Sequence, residues 1–158
     1  MFLLQKLSYL YIKKIMNLNY MKIAIDLAKK SGKDIPVAAI IVKDGKIIAK
    51  AVNEREKSQN TINHAEMLAI QRANKKLKNW RLNGCEMYVT LEPCPMCASA
   101  ILQARISKLY YGASDLLNGA FGSKSDMRKI MGYELEVKSG IMEEESIKML
   151  QDYFERLR

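Results

Sequence analysis

The runs His64-Ala65-Glu66 and Pro93-Cys94-Pro95-Met96-Cys97 hold the only histidine of the chain and two of its three cysteines. Imidazole and thiolate are the protein ligands that zinc prefers, and a structural zinc site closes on four of them while a catalytic one keeps a place open for water. His64, Cys94 and Cys97 make three. Cys85, the remaining soft donor, is expected at the foot of the strand that leads to the second run, away from its end. The spacing therefore predicts an open zinc site with Glu66 beside it as a proton carrier and not as a ligand. A Cys-x-x-Cys pair can also be a redox couple or a chance spacing, and a lone histidine can be a satisfied core residue.

Both runs are expected where a helix begins. Pro95 suits the first helical position, and there Cys94 and Cys97, three apart, point to one side. The positive end of the helix dipole lowers a thiol pKa toward the thiolate that a metal requires. His64 and Glu66, two apart, would diverge in mid-helix, so His64 has to precede the regular turns. A zinc ion acidifies bound water from 15.7 to about 7, and Glu66 can move the proton to a ring nitrogen and later to a departing amine. Hydrolytic deamination of a base fits these parts.

Working outward, PVAAIIVK (36–43) is an unbroken apolar run of the kind found in a strand covered on both faces. Asp44-Gly45 is a two-residue hairpin turn into a second strand, Lys46–Val52. Asn19 is read as the cap of a helix to about Ser31, with Met21, Ile25 and Ala28 on one face and Gly32 as its stop. Residues 54–63 read as loop, 64–76 as a well-buried helix, 86–91 as a strand, 95–104 as a helix and 108–111 as a strand. A glycine-containing loop (115–123), a short helix, a fifth strand at 133–137 and a last helix at 143–157 complete the chain. Ile147, Leu150, Phe154 and Leu157 are expected on the packed face of that last helix. The order predicts a three-layer α/β/α sandwich over a five-stranded mixed sheet.

The 158 residues suggest one domain (16–158), and 49% hydrophobic residues suffice for a core. Residues 1–15 read as an N-terminal extension without assigned function, either frayed or an added turn or two of helix. The formal charge of +9, or +6 without Lys6, Lys13 and Lys14, favours a polyanionic partner. Lys75, Lys76 and Lys78 suit either RNA or the helix dipole. Three cysteines, an odd number, argue against a disulfide framework and for a reducing, cytoplasmic setting. No apolar run approaches the ~20 residues that span a bilayer.

His-Ala-Glu followed by Pro-Cys-x-x-Cys resembles the zinc-dependent cytidine deaminase superfamily. Asn-Trp-Arg-Leu (79–82), Tyr-Val-Thr-Leu-Glu-Pro-Cys (88–94), Gly-Ala-Phe-Gly-Ser (119–123) and the ending Asp-Tyr-Phe-Glu-Arg-Leu-Arg extend the likeness to bacterial tRNA-specific adenosine deaminases, from about Asn19 to Arg158. The resemblance implies a cytidine deaminase-like fold. It implies a hydrolase acting on the wobble adenosine of a tRNA anticodon, typically of an arginine tRNA, and working as a homodimer. It implies Zn²⁺ on His64, Cys94 and Cys97, Glu66 as proton shuttle, Asn53 on the base and Asp115 on a neighbouring ribose. Tyr153 and Phe154 match a terminal helix that packs and touches the anticodon loop, with packing the expected role of Phe154. Asn63, Ser99 and Ser114 depart from the residues usual there, at the pocket rim and RNA contacts. The competing functions are a deaminase of free guanine or cytosine, a zinc-stabilised RNA-binding module without turnover, and a redox protein.

Overall fold

The computed structural model describes all 158 residues, and its centre is the apolar run read above. Strand β1 (Ala38–Lys43) lies between β2 (Lys46–Val52) and β3 (Cys85–Leu91), antiparallel to both. β4 (Lys108–Ala113) and β5 (Glu136–Lys138) follow parallel to β3, giving the order β2-β1-β3-β4-β5. Asp44 and Gly45 both take positive φ, as a hairpin turn of this kind demands.

Alternation along the strands sorts the core into two layers. Ala39, Ile41, Met87, Val89, Leu109 and Tyr111 face α3 (Ala65–Leu77) and α4 (Pro95–Gln103). Ala38, Ile40, Val42, Tyr88 and Tyr110 face α1 (Phe2–Ala28) and α6 (Glu143–Glu155). The sandwich is therefore the three-layer α/β/α arrangement on a five-stranded mixed sheet that the element order predicts. On the α1 side, Tyr88 and Tyr110 stack 4.5 Å apart. The Tyr88 hydroxyl donates to the Asn17 amide oxygen at 2.7 Å, so a buried polar pair pins α1 to the sheet.

Four elements differ from the sequence reading. The first helix does not begin at Asn19; it runs unbroken from Phe2. Residues 2–18 contain neither proline nor glycine, and Lys13 reaches Glu86 at 2.7 Å, so the turns before Asn19 are anchored to β3. Residues 55–63 are not all loop: α2 (Arg55–Ser58) is a single turn. The fifth strand occupies 136–138, later than 133–137, because the residues after Gly132 first close the short helix α5 (Met127–Met131). On α6 the buried residues are Ser146 and Met149, while Ile147, Phe154 and Leu157 are exposed. Of the expected apolar stripe only Leu150 is partly buried, beside Ala113 of β4, and Leu157 lies beyond the last residue of α6.

These positions predict a contrast on α1. Met21→Ala empties a fully buried site and should cost about 2–5 kcal/mol. Leu3→Ala, on an exposed turn, should stay within about 0.5 kcal/mol. Urea denaturation of the two variants checks both.

Candidate functional site

The antiparallel centre brings several chain ends to one edge of the sheet. β1 starts there, β2 ends there at Asn53, and β3 and β4 end there as well. Helices α3 and α4 begin at this edge, and both start with a site residue. His64 is the residue before α3, with φ −70° and ψ 153°, and Cys94 is the residue before α4, with φ −71° and ψ 170°. Extended backbone at these two positions lets His64 and Glu66 serve one point despite their spacing, as the sequence requires. Pro95 holds the first helical position, as expected.

The three soft donors converge. His64 Nδ1 lies 3.7 Å from Cys94 Sγ and 3.5 Å from Cys97 Sγ. All three donor atoms are within 4.8 Å of one another, and the group contains no fourth side chain. Tetrahedral zinc with ordinary Zn–N and Zn–S bonds separates its nitrogen and sulfur ligands by about 3.6 Å. The donor set thus fits a zinc ion in spacing as well as in chemistry. Cys85 is buried at the opposite end of β3 and takes no part.

Charge at the site follows from burial and mutual contact. In the absence of a cation, the hydrogen bond from Cys97 depresses the Cys94 thiol to about 4, while the Cys97 thiol is pushed up. The hydrogen bond to Cys94 raises the adjacent imidazole of His64. Glu66 is buried in the first turn of α3 beside Cys97, and desolvation pushes its carboxyl up to about 7. A cation in the cluster favours both thiolates, because it replaces the thiol proton with a stronger positive charge.

A cavity of about 310 Å³ opens over His64, Glu66 and Cys94, and Asn53 and Asp115 both line it. Asn53 also closes the strand end: its amide nitrogen donates to Ile35 O at 3.2 Å and its oxygen accepts from Arg55 N at 3.3 Å. Asp115 Oδ1 accepts from the backbone of Leu117 and Asn118, both at 3.0 Å. Arg55 and Asn118 join the wall, and Arg55 is the cavity's one lysine or arginine. Tyr153 and Phe154 lie off this wall. Tyr153 donates to Lys33 O at 2.7 Å, and Phe154 is half exposed against the Tyr153 ring, which differs from the packed role expected for it. A larger groove, about 870 Å³, runs between α1 and α6, with charges of both signs and no cluster of metal donors.

Two buried acids position this site in roles that the sequence reading did not give them. Asp34, buried, accepts the backbone N–H groups of Glu56 at 2.6 Å and Lys57 at 3.0 Å, and so holds the turn that bears Arg55. Glu92, buried where β3 ends, accepts from the loop that carries Asp115. Their signal is an acid placed directly against a proline-containing apolar step, Asp34-Ile35-Pro36 and Leu91-Glu92-Pro93.

The model of the cytidine and deoxycytidylate deaminase zinc-binding region matches residues 15–113. The chain belongs to this family. It is 46% identical to a tRNA-specific adenosine deaminase of Bacillus subtilis, covering 88% of this chain and 89% of the relative. A solved structure from work on A-to-I editing by tRNA:A34 deaminases is 38% identical, with a TM-score of 0.77, covering 83% of this chain and 98% of that one. Within the family the chain is therefore one of the tRNA-specific adenosine deaminases, enzymes that hydrolyse a C–N bond. A guanine deaminase from Nitrosomonas europaea, 22% identical with a TM-score of 0.74 over 84% of this chain and 81% of that one, shares the fold. No helix is long and apolar enough to cross a membrane.

Asp34→Ala should leave two backbone donors of α2 unpaired at a cost of about 1–3 kcal/mol. Limited proteolysis should then cut the 55–63 segment faster than in the parent chain.

Proposed function

We propose that this deaminase converts the wobble adenosine of a tRNA anticodon to inosine, using Zn²⁺ held by His64, Cys94 and Cys97 and a proton carried by Glu66. The reading rests on the convergence of those three donors beside a buried carboxylate, in a chain nearly half identical to a tRNA-specific adenosine deaminase. The substrate we assign is the anticodon loop of an arginine tRNA, and the working form is a cytoplasmic homodimer. The net charge of +9 supports a polyanion as substrate. We treat residues 16–158 as the deaminase domain and residues 1–15 as an addition to it.

Bound in this cluster, zinc supplies a water acidic enough to yield its proton near neutrality. Glu66 accepts that proton and donates it to N1 of adenine, which makes C6 more electrophilic. As a C6–O bond forms and the C6–N6 bond breaks, Glu66 passes the second water proton to the leaving amine. The products are inosine and ammonia, and the carboxylate returns to its starting state. Asn53, at the end of β2, holds the base through the part of its amide that Ile35 and Arg55 leave over. Asp115 contacts the adjacent ribose through Oδ2, since Oδ1 is engaged by Leu117 and Asn118. Arg55, the one basic side chain of the cavity wall besides His64, is the group there that can pair with a backbone phosphate of the loop.

Incubation with tRNA transcripts, and separately with free adenosine, cytidine and guanine, tests the substrate. Inosine at a single anticodon position with the small molecules unchanged is the expected result. Conversion of free guanine or cytidine with inert tRNA would replace this reading by that of a small-molecule deaminase. Glu66→Gln should keep one zinc per chain and lower the deamination rate by about 10²- to 10⁴-fold. Cys97→Ser should lose the metal in elemental analysis.

A further inference from the structure

Glu92 presents both carboxylate oxygens to a single loop. Oε1 accepts the backbone N–H groups of Phe121 at 3.0 Å and Ser123 at 3.2 Å. Oε2 accepts the N–H of Asp115 at 3.1 Å and the Ser123 hydroxyl. Backbone donors from both ends of the loop thus curl around one buried anion, the arrangement by which a peptide nest binds a carboxylate. Gly119 completes the fit. A Cβ there would strike the Glu92 carboxyl group and the Asp115 carbonyl, so the loop can close on the carboxylate only with glycine at 119.

Glu92 also belongs to the backbone that places Cys94. Its own N–H donates to Ala113 O at 2.8 Å, and Pro93 O accepts from Ala120 N at 2.9 Å. One short segment therefore fixes the first sulfur on one side and the Asp115–Ser123 loop on the other. That loop brings Asp115 and Asn118 to the cavity wall, with His64 and Glu66 on another.

We propose that Glu92 is a positioning residue that sets substrate affinity by holding the Asp115–Ser123 loop against the cavity. The effect on turnover rests on the reading of this cavity as the tRNA adenosine site; the effect on the loop does not. Glu92 lines the cavity beside Cys94 but makes no hydrogen bond to the metal donors, and both of its carboxylate oxygens are engaged by the loop, so its influence falls on binding and leaves the chemical step alone.

Glutamine at 92 separates this role from general packing, because its amide has the same shape with one acceptor instead of two. The oxygen is retained where two backbone donors meet, at Phe121 and Ser123. The NH₂ group then faces Asp115 N–H, donor against donor, while the Ser123 hydroxyl can turn and accept. Glu92→Gln should therefore free the Asp115 end of the loop and keep the other end.

The test uses the full-length, zinc-loaded chain. Amide exchange by NMR should accelerate at Asp115 by about tenfold or more in Glu92→Gln, and less at Phe121 and Ser123. With tRNA as substrate, KM should rise about tenfold while kcat stays within about threefold and zinc remains at one per chain. Gly119→Ala, which pushes the loop off the same carboxylate, should give the same split, and the double variant should be less than additive. Ser123→Ala keeps all three backbone bonds and should change KM less than Glu92→Gln. Unchanged exchange at Asp115, or joint loss of kcat and zinc, would overturn the proposal. If Glu92→Gln does not fold, Gly119→Ala carries the same two readouts. A parent chain inert on every tRNA would refute the substrate assignment, and the exchange pattern would still decide whether Glu92 holds the loop.

Discussion

The antiparallel pairing of β1 with β3 settles where chemistry can occur in this protein. Because β1 runs against both neighbours, its start lies beside the ends of β2 and β3. The parallel pairing of β3 with β4 then adds the end of β4 to the same edge. Two helices that follow a β2 or β3 end must begin at that edge, and α3 and α4 do. Had β1 paired parallel to β3, Asn53 and the start of α3 would stand at the other end of the sheet from Cys94. The convergence of imidazole and two sulfurs is thus a consequence of strand direction, and the buried alanine and isoleucine faces of β1 hold that direction in place.

Once the edge exists, the site uses buried carboxylates in two different ways. Glu66 lies in the first turn of α3, where desolvation dominates and its pKa rises. An acid in such surroundings exchanges a proton near neutral pH. Glu92 meets four donors, three of them backbone amides that have no other role in the sheet. Its lone pairs are committed to one loop. Two glutamates on the same cavity therefore differ by their partners: one is desolvated with few donors, which suits the proton carrier proposed above, and the one with many is a fixed point of the architecture.

This contrast also accounts for what could be read in the sequence. His64, Cys94 and Cys97 were legible because metal donors are scarce in the chain and their spacing implies helix starts, and both starts have the extended backbone the spacing demands. β1 and its hairpin were legible because an unbroken apolar run ending in Asp-Gly has few alternatives. Glu92 was legible only as part of the Tyr-Val-Thr-Leu-Glu-Pro-Cys string and its role was not, and Asp34 was not legible at all, since the partners of both are backbone N–H groups supplied by distant segments, and nearly any residue type can supply those. α1 was read too short because asparagine can cap a helix or sit inside one; here Asn17 is buried against Tyr88 and Asn19 is an exposed residue of a continuing helix. On α6 the periodicity identified a helix and an apolar stripe, but periodicity does not say which stripe meets the sheet. Ser146 and Met149 do, with Ser146 so close to Gly112 on β4 that a Cβ at 112 would strike it.

The sheet and the helix starts are common ground with a guanine deaminase at 22% identity, so they cannot by themselves choose a base. What lines the cavity above them comes from two segments, the Asn53–Asn63 turn held by Asp34 and the Asp115–Ser123 loop held by Glu92. Both are fastened through side-chain-to-backbone bonds at one buried acid each. A carboxylate that gathers backbone N–H groups is indifferent to the side chains around it.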